Sequence, residues 1–521
     1  MVKRKLPIGG VQTFSQLREE YDVYVDKTGF IHNIASRYKT VFLSRPRRFG
    51  KSLLCSTIKA LFQNRKELFD GLAISKTDWK WQEHPVIYID FASGNYTGDD
   101  GVDVLKKTIN AQLNEVCDIY GISVEESNFV SNRIRRIIFE LSKKMRRVVI
   151  VVDEYDNPLL CTIDQPALNR ALREELKGFY SVFKSCDEYL QLVFITGITK
   201  FAQISLFSGM NQAVDISMML DYTDICGITK NELEEYFAHE IDGYAVKHGG
   251  HEMYLSKLEE FYNGYYFTEK KLSVYNPYGI LHHFNNDASF LPYWSLSGSP
   301  TFAMKYLEMK GIDFVDVENA YMEAGKFANY KDDNILLYPL LYQAGYLTIC
   351  DFDEETGYYR LSYPNIEVRK TFAEFLAKNY SEAERTLNAS ISLAFIKSLL
   401  EGDVEKFINL LKWYLQTVDY SLSSKITEYY FEFAVSNIIN MLGFDCKNEV
   451  HTANGSMDTV ILTRERIYIL EFKVDKPVEK ALWQIERKDY GLYYAQDGRE
   501  IVKVGVVFSR ESRNILEWGC A

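Results

Sequence analysis

In the first 230 residues, short unbroken apolar runs alternate with longer stretches of helical spacing. KTVFL from Lys39 leads through the turn-rich SRPRRFG into KSLLCSTIKALF, where Leu53, Leu54, Ile58 and Leu61 recur at helical intervals. VVIVV from Val148 ends in the acidic DEYDNP, and LQLVFITG from Leu190 runs into Gly197. Fully apolar strands separated by helices predict a parallel sheet buried on both faces. After Gly227, GITKNELEEYF predicts a helix capped by Thr229 with Glu232 three residues on, followed by helical, aromatic-rich sequence to Phe284. Residues 285–300 are polar and turn-prone, the expected boundary. Residues 334–364 read as a helix and a hairpin, the order of a winged-helix module, and residues 381–419 are helical again. Two β-type runs flanking TRER close the pattern. Four regions follow: 1–227, 228–290, 291–420 and 421–521.

Length and charge sharpen this picture. A chain of 521 residues has room for roughly three compact units on the prior of about 150 residues each. Its composition is globular, 47% hydrophobic and 25% charged. The opening MVKRKLPIGGVQTF has no apolar run after its charges, and no stretch reaches the ~20 residues that span a bilayer. The eight cysteines are scattered without a C-x-x-C pair. A cytoplasmic chain with reduced thiols and no membrane association is therefore expected. The net charge of −12 hides an asymmetry, because residues 1–80 carry 16 basic and 7 acidic side chains. That favours a local anion site near the N-terminus over a chain-wide nucleic-acid surface.

The anion site has a motif. Gly50-Lys51-Ser52 closes G-x-x-x-x-G-K-[ST], in which backbone N–H groups at a helix N-terminus cradle phosphates, the lysine meets the β/γ oxygens and the hydroxyl meets Mg²⁺. Arg45 stands where the first glycine belongs, so the strand before and the helix after must carry the assignment. Arg45, Arg47 and Arg48 add positive charge to the loop. Asp153, ending the second strand, is expected to hold Mg²⁺ through water with Ser52, and Glu154 to polarise the attacking water. Thr196 and Thr199 are candidates to sense the γ-phosphate. ATP binding is the expectation, with hydrolysis a further step.

A second constellation lies in NGSMDTVILTRERIYILEFKVDK. A two-residue turn at Arg464-Glu465 pairs residues whose numbers sum to 929, so Asp458 faces Glu471. Opposed residues on antiparallel strands have Cβ atoms about 4.5–5.5 Å apart, which lets both carboxylates chelate one Mg²⁺ or Mn²⁺. Lys473 shares the face of Glu471. Upstream, an apolar helix begins near Glu428, and downstream Ala481, Gln484 and Lys488 share a helical face. An ordinary surface hairpin is the alternative. His248, His251, His282 and His283 lack acidic or cysteine partners at ligand spacing and are expected as turn and surface residues.

Together YVDKT, FLSRPRRFGKSLL, VVDEYDNPL, FITGITKFAQISLFSGMN, NGYYF, YNPYGIL, GSMD, EFK and AxxQIxxKxY resemble a bacterial family joining an AAA-ATPase-like domain to a C-terminal PD-(D/E)XK nuclease-like domain. The resemblance implies that RPRRFGKS is the family's own variant of the phosphate loop. It also implies an α/β/α nuclease core with Asp458, Glu471 and Lys473 at the motif positions and Glu428 and Gln484 as accessory residues. The expected protein is α/β: a P-loop parallel sheet with a helical lid, a mainly helical middle and a small nuclease-like domain. Arg48, Gly50, Lys51, Ser52, Asp153 and Thr196 would bind the nucleotide, and Glu154 would join the catalytic set. The expected partner is nucleic acid, DNA before RNA, with a homo-oligomer allowed. A nucleotide-dependent switch that grips nucleic acid or a partner without cutting is the rival.

Overall fold

The computed structural model describes residues 4–8, 10–200, 206–207, 213–297, 301–310, 320–324, 336–380, 389–416, 428–452 and 455–521. The chain divides into two compact units, one holding residues 1–311 and 319–365, the other 312–318 and 366–521.

The first unit is built on β1 (Thr40–Ser44), β2 (Val86–Asp90), β3 (Val148–Asp153), β4 (Leu190–Gly197) and β5 (Val214–Asp215). The order is β2-β3-β4-β1-β5, and all four pairings are parallel. Every residue of β3 is buried, as an apolar run between two neighbours and two faces requires. Because the strands are parallel, the loops after β1, β3 and β4 emerge at the same sheet edge, and β4 lies between the other two. That edge therefore collects Lys51, Asp153 and Thr199.

The lid helices Lys230–Tyr236, Ala238–Ala245, His251–Tyr262 and Pro277–Asn285 share a core of Leu233, Phe237, Tyr254, Leu258, Tyr262 and Phe284. The Thr229 cap is present in full: its hydroxyl accepts from the Glu232 amide, and the Glu232 carboxylate accepts from the Thr229 amide. His283 corrects the surface expectation. It is fully buried, its Nδ1 donating to the Ser289 carbonyl at 3.0 Å and its Nε2 accepting from the Tyr254 hydroxyl at 2.8 Å. Burial lowers its pKa to about 3, so the ring is neutral.

The helix and hairpin expected in 334–364 are present as the Leu337–Ala344 helix, β7 (Thr348–Asp353) and β8 (Tyr358–Ser362), with β6 (Tyr321–Glu323) added to the far side of β8. They do not stand alone as a middle module. Gln343 accepts from the Lys200 amide at 2.9 Å and the Tyr342 hydroxyl donates to the Phe267 carbonyl at 3.3 Å, which binds them into the first unit. The polar stretch 285–300 lies inside that unit too, with 298–300 outside the described residues.

In the second unit β9 (Asp445–Thr452), β10 (Gly455–Leu462), β11 (Arg466–Val474), β12 (Glu500–Ser509) and β13 (Asn514–Cys520) form one sheet in the order β13-β12-β11-β10-β9. β11 and β12 are parallel, linked by the Val478–Arg487 helix, and the other pairings are antiparallel. Strand periodicity divides β11 cleanly. Tyr468, Leu470, Phe472 and Val474 join a core with Phe431, Ile438, Phe395 and Leu411, whereas Ile467 and Ile469 pack with Ile485 and Tyr490 on the other face. Helices therefore cover both faces. The helices Ala389–Glu401 and Val404–Leu415 contribute to the first of these cores, so they belong to the nuclease-like unit rather than to a separate middle region.

Candidate nucleotide and nuclease-like sites

The loop after β1 turns into the Lys51–Phe62 helix at Gly50, whose φ of +94° is left-handed and costs little without a side chain. The Lys51 ammonium, almost fully buried, donates to the Pro46 carbonyl at 3.1 Å and closes the loop on itself. The Ser52 hydroxyl beside Asp153 pulls that carboxyl's pKa down, but burial dominates and holds it up at about 6. The Tyr88 hydroxyl and the Glu154 amide complete the shell of Asp153 at 3.2 and 3.0 Å. Glu154 itself takes a left-handed φ of +52°, unusual outside glycine, and lines a cleft of about 370 Å³ with Arg47, Arg48, Lys51, Ser52 and Asn157.

The three arginines of the loop have three different positions. Arg45 points away from the cleft and is 2% exposed. Its guanidinium donates to the carbonyls of Ser44 (2.9 Å), Ser217 (2.7 Å), Tyr222 (2.9 Å) and Thr223 (3.4 Å) and stacks 4.2 Å from the Phe267 ring centre. It is a back anchor of the loop rather than part of its phosphate charge. Arg48 lies 4.9 Å over the Tyr278 ring of the lid and donates to the Ser297 carbonyl at 3.4 Å. Arg47 lines the cleft, and its side chain makes no hydrogen bond or ion pair among the described residues.

Neither threonine expected at the γ-phosphate reaches the cleft. The Thr196 hydroxyl donates to the Leu43 carbonyl at 2.9 Å inside the sheet, and that of Thr199 donates to Asp156 at 2.6 Å. Asp156, which the sequence reading passed over, is fully buried and also accepts the amides of Ile198 (3.2 Å) and Thr199 (2.7 Å). It ties the loop after β3 to the loop after β4.

In the second unit the hairpin has the expected register, Thr459 opposite Leu470 and Leu462 opposite Ile467. The turn is closed by Thr463 and Arg466, with Arg464 and Glu465 at its tip. Asp458 lies one residue before the paired segment and accepts the Phe472 amide at 2.7 Å. Glu471 and Lys473 continue the Ile467, Ile469 row toward the end of the strand. Glu471 is 0% exposed, and one of its oxygens accepts from the Lys473 ammonium at 2.8 Å. Lys473 also donates to the Phe472 carbonyl at 2.7 Å and stands 4.0 Å from Asp458. Burial first, and then the charge of Asp458, raise the Glu471 pKa to about 7 against the pull of Lys473. Opposite Glu471 on β12 is Gly505, where an added Cβ would come within 3.0 Å of Ala481 and Leu482, so glycine lets the helix close on the sheet.

Gln484 donates to the Tyr490 hydroxyl at 3.4 Å, and that hydroxyl donates to the Ser456 carbonyl, so Gln484 is tied to the strand that carries Asp458. Lys488, which the sequence places on the helical face of Gln484, exerts a field on Glu471. The helix begins at Glu428, whose side chain lies outside the described residues.

Comparison with known proteins agrees with both halves. A family model described as "Predicted AAA-ATPase" matches residues 7–207, and one described as "PD-(D/E)XK nuclease superfamily" matches residues 426–518. A protein of Azotobacter chroococcum mcd 1, described as "Uncharacterized protein in vnfD 5'region", is 33% identical over 536 residues, covering 99% of this chain and 98% of that protein. The chain belongs to this AAA-ATPase-like, PD-(D/E)XK family.

The side chains of this family member suit the groups its two domains imply. At the nuclease-like site, the second oxygen of Glu471 is buried without a hydrogen-bond partner, an unmet acceptor beside the Asp458 carboxylate. Carboxylate oxygens are the donors that Mg²⁺ and Mn²⁺ take. At the nucleotide site Ser52 and Asp153 stand side by side and offer one hydroxyl and one carboxylate. Among the described residues no group of three or more His, Cys, Asp or Glu side chains gathers at metal-binding distance. Among them, too, no helix is long and apolar enough to cross a membrane.

Proposed function

We propose that this protein is an ATP-controlled, divalent-metal-dependent nuclease acting on nucleic-acid phosphodiesters. The observation that carries the reading is the buried pairing of Glu471 with Lys473 beside Asp458, with one Glu471 oxygen unmet. Asp458 and Glu471 would hold the cation, which supplies polarisation of the phosphodiester and acidification of water. Lys473, oriented by Glu471 and the Phe472 carbonyl, places a positive charge where the pentavalent phosphate gains negative charge and steers the attacking water. Lys488 adds positive charge that acts on Glu471, and Gln484 is tied through Tyr490 to the strand of Asp458.

In the first unit the loop amides and Lys51 would bind the phosphates of the nucleotide, Ser52 and Asp153 would hold Mg²⁺, and Glu154 would orient water for hydrolysis. An apolar pocket that adjoins the cleft, lined by Pro7, Val25, Phe49, Leu53, Phe237 and Leu281, takes the base. It draws on both the phosphate-loop helix and the lid, so nucleotide binding would pull the two together.

Incubation of the purified protein with supercoiled DNA and Mn²⁺ or Mg²⁺ should give nicked product. Lys473→Ala should slow nicking by about 10²–10³-fold while binding of a fluorescent ATP analogue is unchanged. Absence of cleavage on DNA and RNA, with and without ATP, would leave the second unit as a binding module.

A further inference from the structure

We infer that the first unit carries a second nucleotide-recognising site, a groove of about 590 Å³ at the sheet edge opposite the phosphate loop. Where its lining meets the sheet, it does so at the beginnings of strands rather than their ends. His84 precedes β2, Arg146 and Arg147 immediately precede β3, and Gln191 is the second residue of β4. In a parallel sheet the ATP cleft is at the other end, separated by a strand length of roughly 15–20 Å. The groove therefore goes beyond the nucleotide and metal sites proposed above.

Two features of the lining point to the ligand. The first is aromatic. Phe62 packs edge-on against Trp79 (centroids 5.4 Å, 85°) and against His84 (5.7 Å, 87°), and His32 meets Trp79 edge-on at 6.2 Å. Interlocked rings are held in place before any ligand arrives, so a base stacking there orders little that is loose. The second is charge. Lys80, Arg146 and Arg147 are exposed, and none of their side chains makes a hydrogen bond or ion pair among the described residues. The acid of the lining, Asp78, is engaged by His32 at 3.2 Å. Burial lowers the His84 pKa, its Nδ1 donates to the Arg147 carbonyl at 2.9 Å, and the fixed positive charge of the lining is that of Lys80, Arg146 and Arg147.

Stacking rings beside uncompensated arginines match a nucleotide with an open base face, and a pocket of a few hundred Å³ admits about one such unit. Gln82 and Gln191 add amide donors and acceptors for a base edge. A strand with unpaired bases presents this unit repeatedly; a free mononucleotide presents it once.

The test uses the full chain carrying Asp458→Asn, so that a nuclease cannot consume the probe, and the anisotropy of a labelled oligothymidylate. Joint replacement Arg146→Ala, Arg147→Ala should weaken binding about tenfold and make the log–log salt dependence shallower by roughly 1.4, two phosphates at ~0.7 each. Trp79→Ala should weaken binding several-fold and Trp79→Phe should restore most of it, a recovery that charge alone does not give. Binding of the ATP analogue at the phosphate loop checks that each variant is folded. Equilibrium dialysis of AMP against a Lys51→Ala background separates the sources: loss of AMP in the arginine variant with unchanged oligonucleotide affinity makes the ligand a free nucleotide and still supports the site. The inference is overturned if neither probe responds to the arginine pair. It is equally overturned if inorganic polyphosphate binds as the oligonucleotide does and Trp79→Ala has no effect, since a bare anion surface behaves so.

Discussion

Each of the two sites keeps a carboxylate that burial pushes upward, yet they are held in opposite ways. Asp153 sits at the end of β3 among neutral donors, a hydroxyl from Ser52, a phenol from Tyr88 and the Glu154 amide. Glu471 sits within β11 against a cation, Lys473, and keeps one oxygen unmet. The first arrangement belongs to irregular backbone at a sheet edge and depends on what anchors the loops. The second belongs to the alternation of a strand and depends on register. A loop site is thus vulnerable from behind, and a strand site from within.

The strongest way to break this contrast is Arg45→Gly, which restores the glycine that the phosphate-loop motif expects. If the loop depends on its anchor, the change removes a donor from four carbonyls and opens a cavity, costing about 3 kcal/mol of the first unit's stability. ATP affinity then falls instead of rising, as denaturant titration and analogue binding would record. Tighter ATP binding at unchanged stability would refute the anchoring role.

A smaller effect sharpens the strand site. The raised Glu471 pKa means that the folded, metal-free unit holds a proton between about pH 4.5 and 7 that the unfolded chain has released, so its stability rises as pH falls through that window. Cation binding requires the carboxylate, so Mg²⁺ affinity should drop toward tenfold per unit below about pH 7. Melting curves with and without Mg²⁺ from pH 5.5 to 8.5 should separate with rising pH, and Glu471→Gln should abolish the separation. A constant Mg²⁺ shift across the range would contradict the assignment.

The smallest expected difference is within the loop. Arg48→Ala, which removes a contact with the lid ring of Tyr278, should change ATP affinity only a few-fold, of the order of one exposed cation–π contact. Arg47→Ala, in the cleft, should act more on turnover than on affinity. Equal effects of the two on both quantities would erase the distinction.

The hairpin was legible because alternation and a two-residue turn leave one register, and the register alone brings Asp458, Glu471 and Lys473 to one place. Three strands of the first sheet were legible as apolar runs, and the capped helix at Thr229 as local chemistry. What escaped reading depends on distant partners. Arg45 meets carbonyls 172 to 178 residues away, and no local signal marks it as buried. The helices at 389–415 announce an apolar face, but periodicity does not say that Phe431 and Phe472 cover it. His283 had a usable hint, since it lies three residues after Ile280 on a helix whose face is buried. Thr196 ends a strand as a sensing residue would, and its bond to Leu43 is visible only once β1 and β4 are paired.

The guanidinium of Arg45 has a consequence for heredity. A residue fixed by three distant carbonyls, besides that of Ser44, and by the flat face of Phe267 cannot drift alone, because these partners lie in segments far along the chain. Across a lineage of such proteins, an arginine at this place should travel with an aromatic ring at the position of Phe267 and with an unchanged spacing between Ser217 and Thr223. Chains that regain the glycine should be free to lose both.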